Sequence, residues 1–365
     1  MRLVIAPDKF AGTLTAIEAA DAIAEGWLRH APDDEIVRVP MADGGPGFCD
    51  VLHTSLGGRL LAVTVTGPYG DPVPGTVLVV GDTAYVESAQ ACGLHLTPRD
   101  KRDPERATSQ GVGELLAAAV DAGARRIMVG LGGSATNDAG AGMLAALGAR
   151  GDAVLTEGPS GLAGVTSVDL DVARARMGDV ALVSASDVDN PLLGLTGATN
   201  VYGPQKGVPE ERKQALDAAL SEFADATDRR TADKKGAGAA GGLGFGLLLL
   251  GGSRTPGVDL VAEAVGLAEH AGSADLVVTG EGAFDFQSRS GKVAYGVASV
   301  AGAALRPCIA LAGQVLVGSR EMRAMGVESA YSMVDLVGEE AALGQPRESL
   351  TRLAERVART WSRRR

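Results

Sequence analysis

What most constrains this chain is a strand–loop–helix unit that recurs at both ends of the sequence, each strand running into a loop of Asp and small residues. Residues 2–6 (RLVIA) read as a short buried strand, followed by the loop APDKFAGTLTA and an amphipathic helix over 15–29. Thr15, with Glu18 three residues later, predicts a capping box at that helix's start. A second strand over 36–39 ends in MADGGPGF, so the chain opens β-α-β. The last third repeats the unit: a strand over 275–279, the loop GEGAFDFQSRSGK, a helix over 293–304, strands at 308–311 and 330–333, and a closing helix over 347–361. Strands alternating with helices imply a parallel sheet with right-handed crossovers.

The middle reads differently. Residues 60–90 hold short strand-like runs separated by Gly67-Pro68, Gly70-Asp71 and Gly81-Asp82, which suits antiparallel hairpins. A helix over 111–122 carries Val112, Leu115, Leu116, Ala119 and Val120 on the stripe of a core-facing helix. Strands follow at 126–131 and 180–184, and the polar, Gly-rich stretch 225–240 reads as a mobile surface connection. With 365 residues, more than one core usually serves. The expected fold is α/β: a parallel-sheet domain built from 1–60 and 261–365, with a second α/β domain inserted at 61–260 and the active site in the cleft between them.

The net charge of −11 repels phosphate backbones and anionic membranes, so no nucleic-acid or membrane partner is expected. The longest strongly apolar run, around 247–250, is far too short to span a bilayer. Cys49, Cys92 and Cys308 have no metal-ligand or redox spacing, and no signal peptide precedes the first strand, so a cytoplasmic protein is expected. Glycine is 51 of 365 residues, about twice the usual ~7% share, and marks tight turns and close backbone approach to ligands as well as a bias towards small residues.

Ligands of open α/β sheets bind beyond the carboxyl ends of the strands, where five loops of this chain collect polar residues. Asp8 and Lys9 follow the first strand, and Asp43, Gly44 and Gly45 the second. Gly132, Gly133, Ser134, Thr136, Asn137 and Asp138 follow the strand at 126–131. Asp187, Asp189 and Asn190 follow the strand at 180–184, and Glu281 and Asp285 the strand at 275–279. Lys206 and Lys292 lie in the short loops GPQKG and SRSGK. Phosphoryl transfer needs this inventory: a carboxylate for the substrate hydroxyl proton, others for Mg²⁺, lysines for phosphate charge, and Gly-turn amides as a cradle. Asp187 and Asp189, two carboxylates at i and i+2, suit a Mg²⁺ ion and the catalytic base. Each loop also has a plainer reading: Asp43 as an Asx-turn, Asp138 as a helix N-cap, Lys206 as a solvated charge. Gly236, Gly238 and Gly241 match G-x-G-x-x-G, but the charged TADKK before them cannot be the required strand, and SRSGKV lacks the Gly and Ser/Thr of a Walker A loop.

Taken together, IAPDKFAGTLTA, MADGGPG, LGGSATNDAGAGML, DVDNPLLG, GPQKG, AGAAGGLGFGL and TGEGAFDFQSRSGK resemble the bacterial glycerate kinases of the first family, which lack the P-loop. The resemblance implies ATP and Mg²⁺ as co-substrates and D-glycerate as acceptor, usually phosphorylated at the 2-hydroxyl. It also implies a flavodoxin-like domain split by an inserted α/β domain, in a monomer or homodimer. Two departures bear on the acceptor. Pro46 replaces the Glu of D-G-G-E-G, and Ala283 and Phe284 replace the Arg and Leu of G-E-G-R-L-D-x-Q. Other readings are a kinase for another small hydroxy acid, a GHMP-type kinase (suggested by VGLGGSATN), and a silent ligand-binding homologue. A kinase of this layout is expected to close its domains on substrate and bring Lys206 and Lys292 to the phosphates.

Overall fold

The computed structural model describes residues 1–10, 12–285 and 292–362. In chain order its strands are β1 (Arg2–Ile5), β2 (Glu35–Arg38), β3 (Arg59–Thr66), β4 (Pro72–Val80), β5 (Thr83–Glu87) and β6 (Arg126–Gly130). They continue as β7 (Arg150–Gly151), β8 (Val168–Asp169), β9 (Ala181–Ala185), β10 (Ser253–Thr255), β11 (Leu276–Phe284), β12 (Cys308–Val315) and β13 (Ser329–Ser332). The chain divides into two compact units: Met1–Asp43, Asp50–Gly57 and Gly257–Arg365 in the first, Gly44–Cys49 and Gly58–Pro256 in the second.

In the first unit the strands lie in the order β2-β1-β11-β12-β13, all parallel. Counted among themselves they run 2-1-3-4-5, the order of the flavodoxin-type doubly wound sheet, whose switch point lies between β1 and its neighbour from the far end of the chain, here β11. β1 is buried on both faces through Leu3, Val4 and Ile5, as a central parallel strand must be. The helix Ala16–His30 starts at the expected capping box, with Thr15 Oγ1 accepting from the Glu18 amide and Glu18 from the Thr15 amide. It packs against the closing helix Pro346–Trp361 through Trp27, Leu350, Leu353 and Val357. Gly26 is what allows the approach, since a Cβ there would sit 2.0 Å from the Thr351 carbonyl oxygen.

One strand reaches further than the sequence suggests. The segment GEGAF, read as loop, is the second half of β11: it pairs with β12, Glu281 opposite Ala312 and Phe284 opposite Val315, beyond the point where β1 ends. A partner strand outweighs the turn-forming tendency of the glycines.

The second unit has its own sheet, β10-β9-β6-β5-β4-β3, in which β10, β9, β6 and β5 are parallel and β4 and β3 complete an antiparallel hairpin edge. The helix Gln110–Asp121 covers it with Val112, Leu115, Leu116 and Ala119, all buried as the stripe requires, while Val120, expected on the same stripe, is only half-buried. Residues 225–240 are no loose connection. They complete the helix Lys213–Ala226, form the turn Arg229–Ala232, and bury Thr231, Ala232, Ala237 and Ala239. Its charged residues stay exposed, and the small ones, Gly236 to Ala239, are what lets it pack. No helix among the described residues is long and apolar enough to cross a membrane.

Candidate active site

At the carboxyl edge of the first unit's sheet, β1 runs into Pro7-Asp8-Lys9 and is held against β11: the Ala6 amide donates to Val278 and the Asp8 amide to Gly280. This is the switch point, and Asp8 stands in it. Asp8 Oδ1 accepts from the Lys9 amide at 2.7 Å, while Oδ2 has no hydrogen-bond partner among the described residues. Lys9 Nζ lies 3.2 Å from Asp43 Oδ1 and 3.8 Å from Asp8 Oδ1. Lys292 Nζ lies 3.5 Å from Asp285 and 3.9 Å from Glu281. Burial pushes the Asp8 carboxyl up to about 6; Lys9 opposes the rise, Asp43 adds to it, and Lys292 also opposes it. Lys292 is moreover the N-cap of the helix Val293–Ala303, a position where a cation opposes the helix dipole and caps no amide. Its place there answers to something other than helix stability.

In the second unit, the turn after β6 is folded by buried polar contacts. Ser88, at the end of β5, donates through Oγ to the Gly130 carbonyl at 2.7 Å. The Gly132 amide donates to Gly44, and the Leu94 amide to Gly133. The glycines press backbone on backbone: a Cβ on Gly132 would lie 2.4 Å from Gly45 Cα, and one on Gly44 2.6 Å from the Ala185 oxygen. Gly44 and Gly132 are thus required by packing, whatever else their amides do. Asp138 is wholly buried and accepts from Ser109 N and Oγ at 2.8 Å, and from the amides of Gly140 and Gly142. Burial pushes its carboxyl up against those hydrogen bonds. It ties down the loop before the helix Ala141–Ala146, but the N-cap of that helix is Gly140 rather than the expected Asp138. Asn137 donates to Thr199 Oγ1 at 2.9 Å, and its Oδ1 is buried without a partner among the described residues. Thr136 Oγ1 donates to Ala240.

Lys206 is neither in a loop nor solvated. It ends the helix Ala198–Lys206, is 2% exposed, and donates to Ser134 Oγ at 3.1 Å and the Thr136 carbonyl at 2.6 Å. Burial pulls its ammonium down to about 8, with Cys92 and Asp138 acting in the opposite direction.

The loop after β9 is held by its own charges. Asp189 pairs with Arg254 at 2.7 Å and Lys235 at 3.3 Å. Asn190 donates to Thr196 and accepts from the Tyr202 hydroxyl. Among the described residues no group of three or more His, Cys, Asp or Glu side chains could hold a metal ion. With Asp189 neutralised by two cations, this donor set does not fit a metal cage built by the protein.

A buried ion-paired carboxyl at a sheet's switch point and a polar Gly loop narrow the chemistry, and comparison with known proteins decides the family. Residues 3–362 match the glycerate kinase family. The chain belongs to it. A glycerate kinase of Bacillus subtilis is 42% identical over 98% of this chain and 97% of its own length. The glycerate 2-kinase of Escherichia coli is 39% identical over 99% of this chain and 98% of its own. A crystal structure from Salmonella typhimurium LT2, described as a glycerate kinase 2, superposes with a TM-score of 0.84 at 38% identity, over 99% of this chain and 98% of that one. Glycerate kinases are phosphotransferases, and this chain is an enzyme of that class.

Two features of this glycerate kinase were not read from the sequence. β5 pairs with β6 in parallel, so Glu87 and Ser88 end at the same sheet edge as the 131–138 loop; treating 60–90 as hairpins hid them. Glu87 is buried and accepts from the amides of Gly47 and Cys49, fixing the turn that carries Pro46. The other is the stretch Ala239–Gly242, which backs the Gly loop: a Cβ on Gly241 would lie 1.8 Å from the Thr136 oxygen. Ala139 and Ala240 carry positive φ of 55° and 52° where these two loops meet, strain of the kind that gathers at functional sites. Of the departures, Ala283 lies on β11 opposite Gln314, and Phe284 is buried. Gln287 lies outside the described residues.

Proposed function

We propose that the protein transfers the γ-phosphoryl group of ATP to a hydroxyl of D-glycerate, giving 2-phosphoglycerate. The observation that carries the chemistry is Asp8: a buried carboxyl, raised to about 6, with one oxygen unbonded within the described residues, beside two lysines. A general base works best when its pKa lies near the operating pH. Asp189, neutralised by Arg254 and Lys235, is less suited to the base role foreseen for it, which passes to Asp8. As the acceptor oxygen bonds to the γ-phosphorus and the bond to the β-phosphate oxygen breaks, Asp8 takes the hydroxyl proton and ADP leaves. Lys9 and Lys292 supply positive charge for the acceptor's carboxylate and the transferring group, which matters more in a chain with Ala at position 283. The amides and hydroxyls of 132–138 hold the nucleotide phosphates. Mg²⁺ travels with the nucleotide, a mode that asks little of the protein.

The test is ADP release by the purified chain with ATP, Mg²⁺ and a panel of hydroxy acids. Turnover with D-glycerate well above that with lactate, tartronate or homoserine is expected. Robust turnover with mevalonate or homoserine and none with glycerate would sink the proposal.

A further inference from the structure

Lys206 is the one lysine called upon for phosphate that the fold has buried, and its geometry suggests a different use. An ammonium only donates, and this one donates one hydrogen bond to Ser134 Oγ and another to the Thr136 carbonyl. Ser134 must therefore be the acceptor in that bond, and its own proton has to go elsewhere. Ser134 is 4% exposed and makes no other side-chain hydrogen bond among the described residues, so its hydroxyl is a buried donor without an acceptor. A buried donor left unsatisfied costs more than a hydrogen bond is normally worth. Such a site gains from an acceptor that a ligand brings.

We propose that Lys206 is a positioning residue acting through Ser134: it occupies a lone pair of the hydroxyl and turns its proton towards a phosphate oxygen of the bound nucleotide. This rests on the kinase reading, in that the ligand is a nucleotide. Lys206 itself touches no phosphate. The ionisable groups facing the ammonium are the Cys92 thiol and the Asp138 carboxyl. Burial pushes the thiol up to about 12, so it stays neutral, and Asp138 is spent on Ser109, Gly140 and Gly142. The ammonium is pulled down to about 8, so above that pH the neutral amine can itself accept a hydrogen bond from the serine hydroxyl, and the orientation is lost.

Calorimetric titration of ATP separates this from a merely structural lysine. Ser134→Ala and Lys206→Met are each expected to weaken ATP binding by ~10-fold or more, and the double variant no further than the weaker single. Wild-type affinity should fall above about pH 8, and Ser134→Ala should lack that fall. Additive losses, or the same pH limb in Ser134→Ala, would overturn the proposal. Should Lys206→Met not fold, the pH profile of Ser134→Ala decides alone. A wild-type chain that binds ATP but phosphorylates no hydroxy acid would count against the kinase reading and leave this one to stand or fall on the titration.

Discussion

Asp8 holds the sharpest conflict between stability and function at the level of single residues. Its carboxyl goes from the ordinary 3.8 to about 6 on folding, mainly through burial. The native state therefore holds the proton more tightly than the unfolded one, and stability falls as pH rises from about 4 to 6. Above that window the charged form costs up to about 3 kcal/mol. Asp8→Asn removes the charge while keeping the shape. It is expected to lower kcat by ~10²-fold or more, through loss of proton acceptance, and to leave KM for ATP little changed. In urea melts at pH 7.5 the variant should be the more stable protein, with the gain shrinking as pH drops below 6. A variant that is less stable at pH 7.5, or one with near wild-type kcat, would contradict the role given to Asp8.

Among the elements, the decisive contact is one loop resting on another. Gly241, with φ +68°, lies against the Thr136 carbonyl, the same oxygen that accepts a hydrogen bond from Lys206. Gly241→Ala has no room for its methyl and a backbone conformation that disfavours it. It should cost ~2 kcal/mol or more in denaturant melts and weaken ATP binding by ~10-fold or more, whereas Gly251→Ala, also at positive φ but with nothing within 4 Å, should cost stability alone. Equal effects on ATP binding would show that the support is dispensable. Legibility in the sequence follows the range of the interactions. The capping box at Thr15, the stripe of 110–121 and the loops at strand ends rest on neighbours a few residues apart, and the sequence displays them. The second half of β11 needed β12, the parallel setting of β5 needed β6, and the packing of 236–242 needed the Gly loop about a hundred residues earlier. The placing of Asp8 and Asp189 at strand ends was legible; the ion pairs of Asp189 were not, because Arg254 and Lys235 close around it from distant stretches of chain.

For the molecule as a whole, two cores of small aliphatic side chains, each under its own sheet, account for a long chain with 4% aromatic residues. Lys9 and Lys292 stand among the carboxylates of Asp8, Asp43, Glu281 and Asp285, so this edge does not offset the charge of −11, which disfavours a polyanionic partner. The match to the glycerate kinase family covers residues 3–362, so Pro46 and Ala283 both lie within the matched span. The account's central claim, that this frame moves a phosphoryl group from ATP to glycerate, is tested most directly by ³¹P NMR of the wild-type chain incubated with ATP, Mg²⁺ and D-glycerate. A growing phosphomonoester resonance that coincides with that of added 2-phosphoglycerate and matches ADP in amount is the predicted result. ADP with only inorganic phosphate, or unchanged ATP signals with D-glycerate while a parallel incubation with another hydroxy acid consumes ATP, would contradict it.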